Sequence, residues 1–275
     1  MRVCIVGRGK VGRCLARELG RVGAPAVLVA ARRLGRQIPV ADLYLLTVPD
    51  ARIRALAAQL APLIPRTSSV LHTAGARGVD ELSPLAECGV SVGVLHPLVS
   101  FASARAGSTL ADVTFTTFGD AHATRLAKRL AKLLGARCEQ LPAAPGPAYH
   151  AAAALVANGA AALAHAGVRI LVELGFTQRA AEQALAGLLA SVASNVRAVG
   201  VPAALTGPVV RGDVATVERH LAALAALDGG ARQSYAALLP VIVESASAAG
   251  LGPKVARELR RLGPPRPAST RRSRR

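Results

Sequence analysis

The residues with the clearest chemical potential stand near the start of the chain. There Gly7-Arg8-Gly9-Lys10-Val11-Gly12 follows the short apolar run from Arg2 to Val6. At this spacing Gly7 permits a tight turn, Gly9 lets the backbone approach a pyrophosphate, and Gly12 lets the following helix pack closely on the strand. The helix that the motif opens presents free N–H groups and a positive dipole end to phosphate. Sites of this type that select NAD place Asp or Glu at the end of the second strand, about 20 residues on, to accept hydrogen bonds from the ribose 2′-OH. Here that position reads Val29-Ala30-Ala31-Arg32-Arg33. Two guanidiniums replace the carboxylate, and a guanidinium forks well onto a 2′-phosphate. The expected cofactor is therefore NADP(H), with no metal, since the cysteines show no metal-ligand spacing.

Further candidates follow along the chain. Val48 and Pro49, in Thr47-Val48-Pro49-Asp50, leave the third strand where a ligand should lie, with Asp50 placed to cap the next helix. His72-Thr73 and His96-Pro97 end two later strands on the same side, and His72 and Thr73 are assigned to the cofactor. Tyr149, His150 and Asn158 fall on one predicted helix, where His150 and Asn158 are separated by roughly 80° around the axis. Imidazole titrates near neutrality, so His150 is the first choice for a proton donor and His96 the second. Thr206-Gly207-Pro208, with Arg211, is suited to holding a substrate carboxylate. Together these segments predict a cleft that takes a small molecule, with Tyr149, Thr206, Gly207 and Arg211 on the substrate.

These residues need elements to hold them. Apolar runs predict strands at 2–6, 26–30, 43–48, 70–72, 91–95, 113–117 and 137–141, with helices between several of them, notably 51–61 and 121–134. Such alternation predicts a mostly parallel sheet of Rossmann type, an α/β fold covered on both faces. Pro142, Pro145 and Pro147 then interrupt the chain. Beyond them the sequence reads as helices alone: 148–174, 177–199 capped by Thr177, 214–227 capped by Asp213, 231–249 and 253–262. The expected organisation is a nucleotide-binding domain over 1–143, an all-α C-terminal domain over 144–262, and a disordered basic tail over 263–275.

Composition narrows the partners. The formal charge is +18, but lysine occurs only at 10, 128, 132 and 254, and no basic stretch is interleaved with aromatics as a nucleic-acid platform requires. Nucleic acid is therefore not the expected ligand. Cys4, Cys14, Cys88 and Cys138 show no paired spacing and read as reduced core thiols. The stretch 151–168 is apolar but built on Ala and broken by Asn158 and His165, which predicts a buried helix rather than a membrane span. No signal peptide is recognisable, so the expected location is the cytoplasm. Small residues in the helical part predict packing against a second copy as a homodimer.

The chain resembles NADP-dependent reductases that join a Rossmann domain to a helical domain, such as pyrroline-5-carboxylate reductases, 3-hydroxyacid dehydrogenases and ketopantoate reductases. It is most similar to a branch of Rossmann-like oxidoreductases with a helical C-terminal domain of unknown function. His72-Thr73-Ala74-Gly75, His96-Pro97-Leu98-Val99-Ser100-Phe101, Tyr149-His150-Ala151-Ala152-Ala153 with Asn158, and Thr206 to Asp213 carry that resemblance. It implies reduction by NADPH of a C=O or C=N group in a small carboxylate-bearing metabolite, a 2-oxo acid such as ketopantoate first and an imine second. The alternative is a non-catalytic regulator that responds to NADP(H). One position departs from the hydroxyacid dehydrogenases: their catalytic lysine, one helical turn before the asparagine, is Ala154 here.

Overall fold

The computed structural model describes residues 1–34, 38–102 and 109–264. The arginine-rich stretch 265–275 and the side chain of Arg33 lie outside the described residues. The chain divides into two compact units, 1–157 and 158–275.

Among the described residues of the first unit, seven strands form one sheet: β1 (Val3–Val6), β2 (Val27–Val29), β3 (Leu43–Leu46), β4 (Ser69–His72), β5 (Ser91–Pro97), β6 (Thr114–Gly119) and β7 (Arg137–Gln140). Their spatial order is β2-β1-β3-β4-β5-β6-β7, and every neighbouring pair is parallel except β5 with β6. All seven expected strands are present, and the mostly parallel α/β fold is the one the alternation predicts.

Strand side chains alternate between the two faces, and the core follows that period of two. Val3, Ile5, Leu43, Leu45 and Leu71 pack with α1 (Lys10–Arg21) and α4 (Ala121–Leu133). Cys4, Val6, Tyr44, Leu46 and Val70 pack on the other side with α2 (Ile53–Leu60) and α3 (Ser83–Ala86). Both faces being covered explains why these strands read as continuous apolar runs. The helix α1 continues through Gly20, because its buried face, Cys14, Leu15, Glu18 and Leu19, is already anchored.

The second unit holds α6 (Gln178–Val199), α7 (Val214–Leu227), α8 (Gly229–Ala248), α9 (Pro253–Arg261) and most of α5 (Gly146–Glu173). Its core is Val217, Leu221, Leu239, Val243, Ala246, Ala256 and Leu259 from α7 to α9, closed by Val209. Thr177 and Asp213 cap α6 and α7 as expected, accepting from the N–H groups of Ala180 and Thr216. The expected boundary lay at the prolines. The division instead falls within α5, whose first turns belong with the sheet because Tyr149 bonds to β5 and β6.

One expectation fails clearly. The apolar helix α5 is not buried: Val168 is its only buried residue among those described, and Leu155 is 77% exposed. By length and composition it could span a bilayer, with 6% of its most apolar window buried. The reason is geometric. Leu185 of α6 lies against Gly167 on one side of α5, and among the described residues no hydrophobic core cluster includes a residue of this helix.

Of the four cysteines, Cys4 and Cys14 are buried and Cys88 and Cys138 are half-buried. Burial pushes the Cys4 thiol up to about 11, as an unreactive core thiol requires.

Candidate functional site

The order β2-β1-β3 makes a switch point between β1 and β3, where the chain leaves the sheet in opposite directions and opens a crevice. The glycine motif lies there. Gly7 has φ +131°, and a Cβ on it would strike the carbonyl and hydroxyl of Thr47. A Cβ on Gly12 would strike the Gly7 carbonyl and the same hydroxyl. Thr47, buried at the end of β3, donates from its Oγ1 to the Gly7 carbonyl at 3.0 Å and so ties the two loops together. Gly9 caps α1 without a side chain, leaving the first-turn N–H groups clear, and Arg8, Gly9 and Lys10 are exposed beside them while Val11 is half-buried.

Two adjoining cavities run from this loop. The first, about 470 Å³, is lined by Gly7, Arg8, Gly9 and Arg13 together with Ala31, Arg32, Val48 and Pro49. The second, about 620 Å³, shares Ala31, Arg32, Val48 and Pro49 and adds Leu34, Arg52, Leu56, Gln59 and Leu63. A charged end beside free N–H groups, followed by an apolar slot with guanidiniums at its mouth, fits a phosphorylated dinucleotide. The crowding at Gly7 and Gly12 is the mark of a cradle that side chains would fill.

Arg52, Gln59 and the leucines of the second cavity were missed by sequence reasoning. Their signal is the helical spacing of Arg52, Leu56 and Gln59 just after Pro49, one face of a helix leaving the carboxyl edge. Asp50, expected to cap that helix, does not: no side-chain cap is formed, and its carboxylate stands 3.9 Å from Arg77.

A second cluster forms at the ends of β4 and β5. His72, assigned to the cofactor from sequence, is fully buried with both ring nitrogens engaged. Its Nε2 is 2.9 Å from the Gly78 carbonyl, and its Nδ1 accepts from the N–H of Ala74 at 3.2 Å. Its ring therefore shapes the loop from Thr73 to Gly78 rather than facing a ligand, and burial holds its pKa down. Thr73, half-buried, donates its backbone N–H to Leu46.

His96 Nδ1 lies 2.8 Å from the hydroxyl of Tyr149, which also lies 2.7 Å from Thr116 Oγ1. Burial, then the charge of neighbouring His150, lowers the pKa of His96 to about 4 against a smaller opposing effect of Asp50. His150 is exposed, its ring edge-on to His96 with centroids 5.8 Å apart. The two histidine candidates thus meet, one neutral and enclosed, the other open to solvent.

The remaining candidates belong to the second unit. Asn158 is exposed on α5. Thr206 and Arg211 are exposed on a turn that Val209 anchors in the core, with Gly207 at φ +105°. Asp213, ending that turn, is held below the usual carboxylate range by its hydrogen bonds to Thr216.

With this geometry in hand, residues 25–97 match the model of a Rossmann-like domain, and residues 113–240 match DUF2520, a domain of unknown function. No curated protein matches the sequence. Among solved structures, the chain is similar to a protein of Thermotoga maritima, with TM-score 0.67 and 23% identity over 90% of this chain and 99% of that one. It is also similar to a Bacteroides fragilis protein described as an NADP oxidoreductase, with TM-score 0.66 and 19% identity over 85% and 94%. A third is the pyrroline carboxylate reductase of Plasmodium falciparum, solved with NADP bound, with TM-score 0.61 and 9% identity over 96% and 98%. At these identities the likeness is one of fold. The first match runs into the last residue of β5 and the second begins beside β6, so a stretch similar to a Rossmann-like domain is followed in the chain by one similar to DUF2520.

Proposed function

We propose that this chain is an NADPH-dependent oxidoreductase that reduces a C=O or C=N carbon in a small carboxylate-bearing metabolite, a 2-oxo acid first and an imine second. The observation that carries the reading is the continuous groove from the glycine loop to Arg32 and Arg52, with no carboxylate at the end of β2. The Bacteroides protein described as an NADP oxidoreductase and the Plasmodium reductase with NADP bound support the same cofactor. When bound, NADPH supplies the hydride. The chain's own residues do the rest. Backbone N–H groups of α1 take the pyrophosphate, Arg32 and Arg52 take the 2′-phosphate, and Leu34, Val48, Leu56 and Leu63 exclude water from the adenine. His150, exposed beside His96, supplies the proton.

The test is a fluorescence titration with NADPH and NADH, followed by transient kinetics with a panel of 2-oxo acids and cyclic imines. NADPH is expected to bind at least tenfold more tightly and to be oxidised by one member of the panel. Equal affinity for the two cofactors overturns the NADP assignment, and tight binding without turnover makes the chain a cofactor-responsive regulator.

We also propose that α5 and α6 are covered by a second copy of the chain. No charged residue occurs between Gly146 and Val168, and Leu155, Val156, Leu188 and Val192 are exposed. Each helix exposes large apolar side chains along its own length, the kind of surface that marks an interaction site, and the Ala and Gly that fill these helices let two of them approach closely. Sedimentation should show a dimer that Leu188→Glu dissociates. A monomer that partitions into lipid vesicles would replace this reading with a membrane.

A further inference from the structure

The network around His96 contains more than a proton donor needs. His96 and Thr116 are register partners across the antiparallel β5–β6 pair, so their side chains leave the same face of the sheet. Tyr149, from the first turn of α5, sets its hydroxyl between them, 2.8 Å from His96 Nδ1 and 2.7 Å from Thr116 Oγ1. The phenol has one proton and two neighbours. A phenol is a stronger acid than a neutral imidazole N–H, and the bare imidazole nitrogen is a stronger base than a phenol or alcohol oxygen. The Tyr149 O–H therefore donates to His96 Nδ1, and the Thr116 hydroxyl donates to the phenol oxygen.

Gly75 clamps the ring. A Cβ built on it would lie 2.6, 2.7 and 2.8 Å from Nε2, Cε1 and Cδ2 of His96. Near-equal distances to these three atoms place that Cβ over the face of the ring. In line with the Nε2–H bond, it would lie clearly farther from the two carbons than from the nitrogen. Gly75 thus faces the ring, where a side chain would not fit, and it does not stand in line with the Nε2 proton. The other ionisable groups that act on His96, namely His150, Asp50 and His72, make no hydrogen bond to it.

We infer that Tyr149 is a positioning residue that fixes His96 with its proton on Nε2, and that His96 donates this hydrogen bond to the oxygen or nitrogen of the group being reduced. The inference rests on the oxidoreductase reading for its second half only. It divides the labour between two adjacent histidines. His96, enclosed and uncharged near neutral pH, polarises the acceptor and keeps its proton, while exposed His150 delivers the proton.

The test uses the full chain labelled with ¹⁵N-histidine, observed by two-bond ¹H–¹⁵N correlation at pH 7. The chain has six histidines, and the His96 signals are those lost in His96→Gln. The expected pattern is a protonated Nε2 and a bare Nδ1 whose resonance carries the shift of an accepted hydrogen bond. In Tyr149→Phe that Nδ1 resonance should move by several ppm, kcat should fall tenfold or more, and NADPH affinity should stay within twofold, which also reports that the variant folds. A proton on Nδ1, or an Nδ1 resonance indifferent to Tyr149→Phe, overturns the positioning role. The expected tautomer in a chain that reduces nothing in the panel leaves the positioning role standing and removes only the substrate contact.

Discussion

The glycine-loop groove and the His96 cluster stand on the same sheet, yet they are built in opposite ways. The groove depends on backbone: Gly7 and Gly12 sit within one turn of chain, and Thr47 closes on them from the adjacent strand. The His96 cluster depends on side chains brought from Gly75, His96, Thr116 and Tyr149, four separate segments. A phosphate needs N–H groups and space, which a local motif can provide. A hydrogen bond aimed at one atom needs a fixed ring orientation and tautomer, which only packing and register provide. This contrast separates the proposed binding from the proposed chemistry, and substitutions can break one without the other.

The largest effect is expected at Gly12. Its Cβ would strike both the Gly7 carbonyl and Thr47, and neither can retreat because each is fixed by the sheet. Gly12→Ala should cost about 1–3 kcal/mol of stability by overpacking and abolish NADPH binding in a calorimetric titration, while the His96 resonances stay in place. Unchanged affinity would remove the glycine loop from the site.

Next comes Arg32→Asp. Losing a charged hydrogen bond and adding a repulsive carboxylate should weaken NADPH by roughly 1.5–3 kcal/mol, about 10- to 150-fold, with NADH equal or tighter. Competition titrations of both cofactors measure the ratio. A parallel loss for NADH would mean that Arg32 holds the pyrophosphate instead.

The smallest effect tests the enclosed side. The pKa of His96 is about 4 in the fold, below the roughly 6.5 of an unfolded chain, and that of His72 is also lowered. Between these values the unfolded chain binds the extra proton, so stability falls as pH drops from about 6.5 toward 4 and is unaffected above 7. Allowing for the partial exposure of His96, its share is about 1–2 kcal/mol. Urea denaturation at pH 7.5 and 4.5 should show this loss, and His96→Gln should remove part of it. Identical pH slopes in both proteins would mean that the ring is not enclosed.

Much of this was legible in the sequence. Continuous apolar runs placed all seven strands, apolar spacing of period 3.6 placed the helices α5 to α9, and Thr177 and Asp213 marked their helix starts. Those signals are local, carried by neighbouring residues whose backbone preferences do not need the rest of the fold. The sequence likewise determined the glycine turn and the missing carboxylate at the end of β2, because a turn and the residues around it are contiguous. Tertiary structure alone decided the rest. His72 and His96 look alike in sequence, each at a strand end, but one has both nitrogens engaged within its own loop and the other meets Tyr149. Asp50 stands where a cap is expected and turns toward Arg77. Arg52 reaches the same cavity as Arg32 only because two loops converge at the switch point. The helix α5, apolar by composition, is exposed because burial depends on what surrounds a helix and not on its own residues. Local conformation follows from a few adjacent side chains, whereas a ring's proton, an ion's partner and a helix's covering are set by groups far apart in the chain.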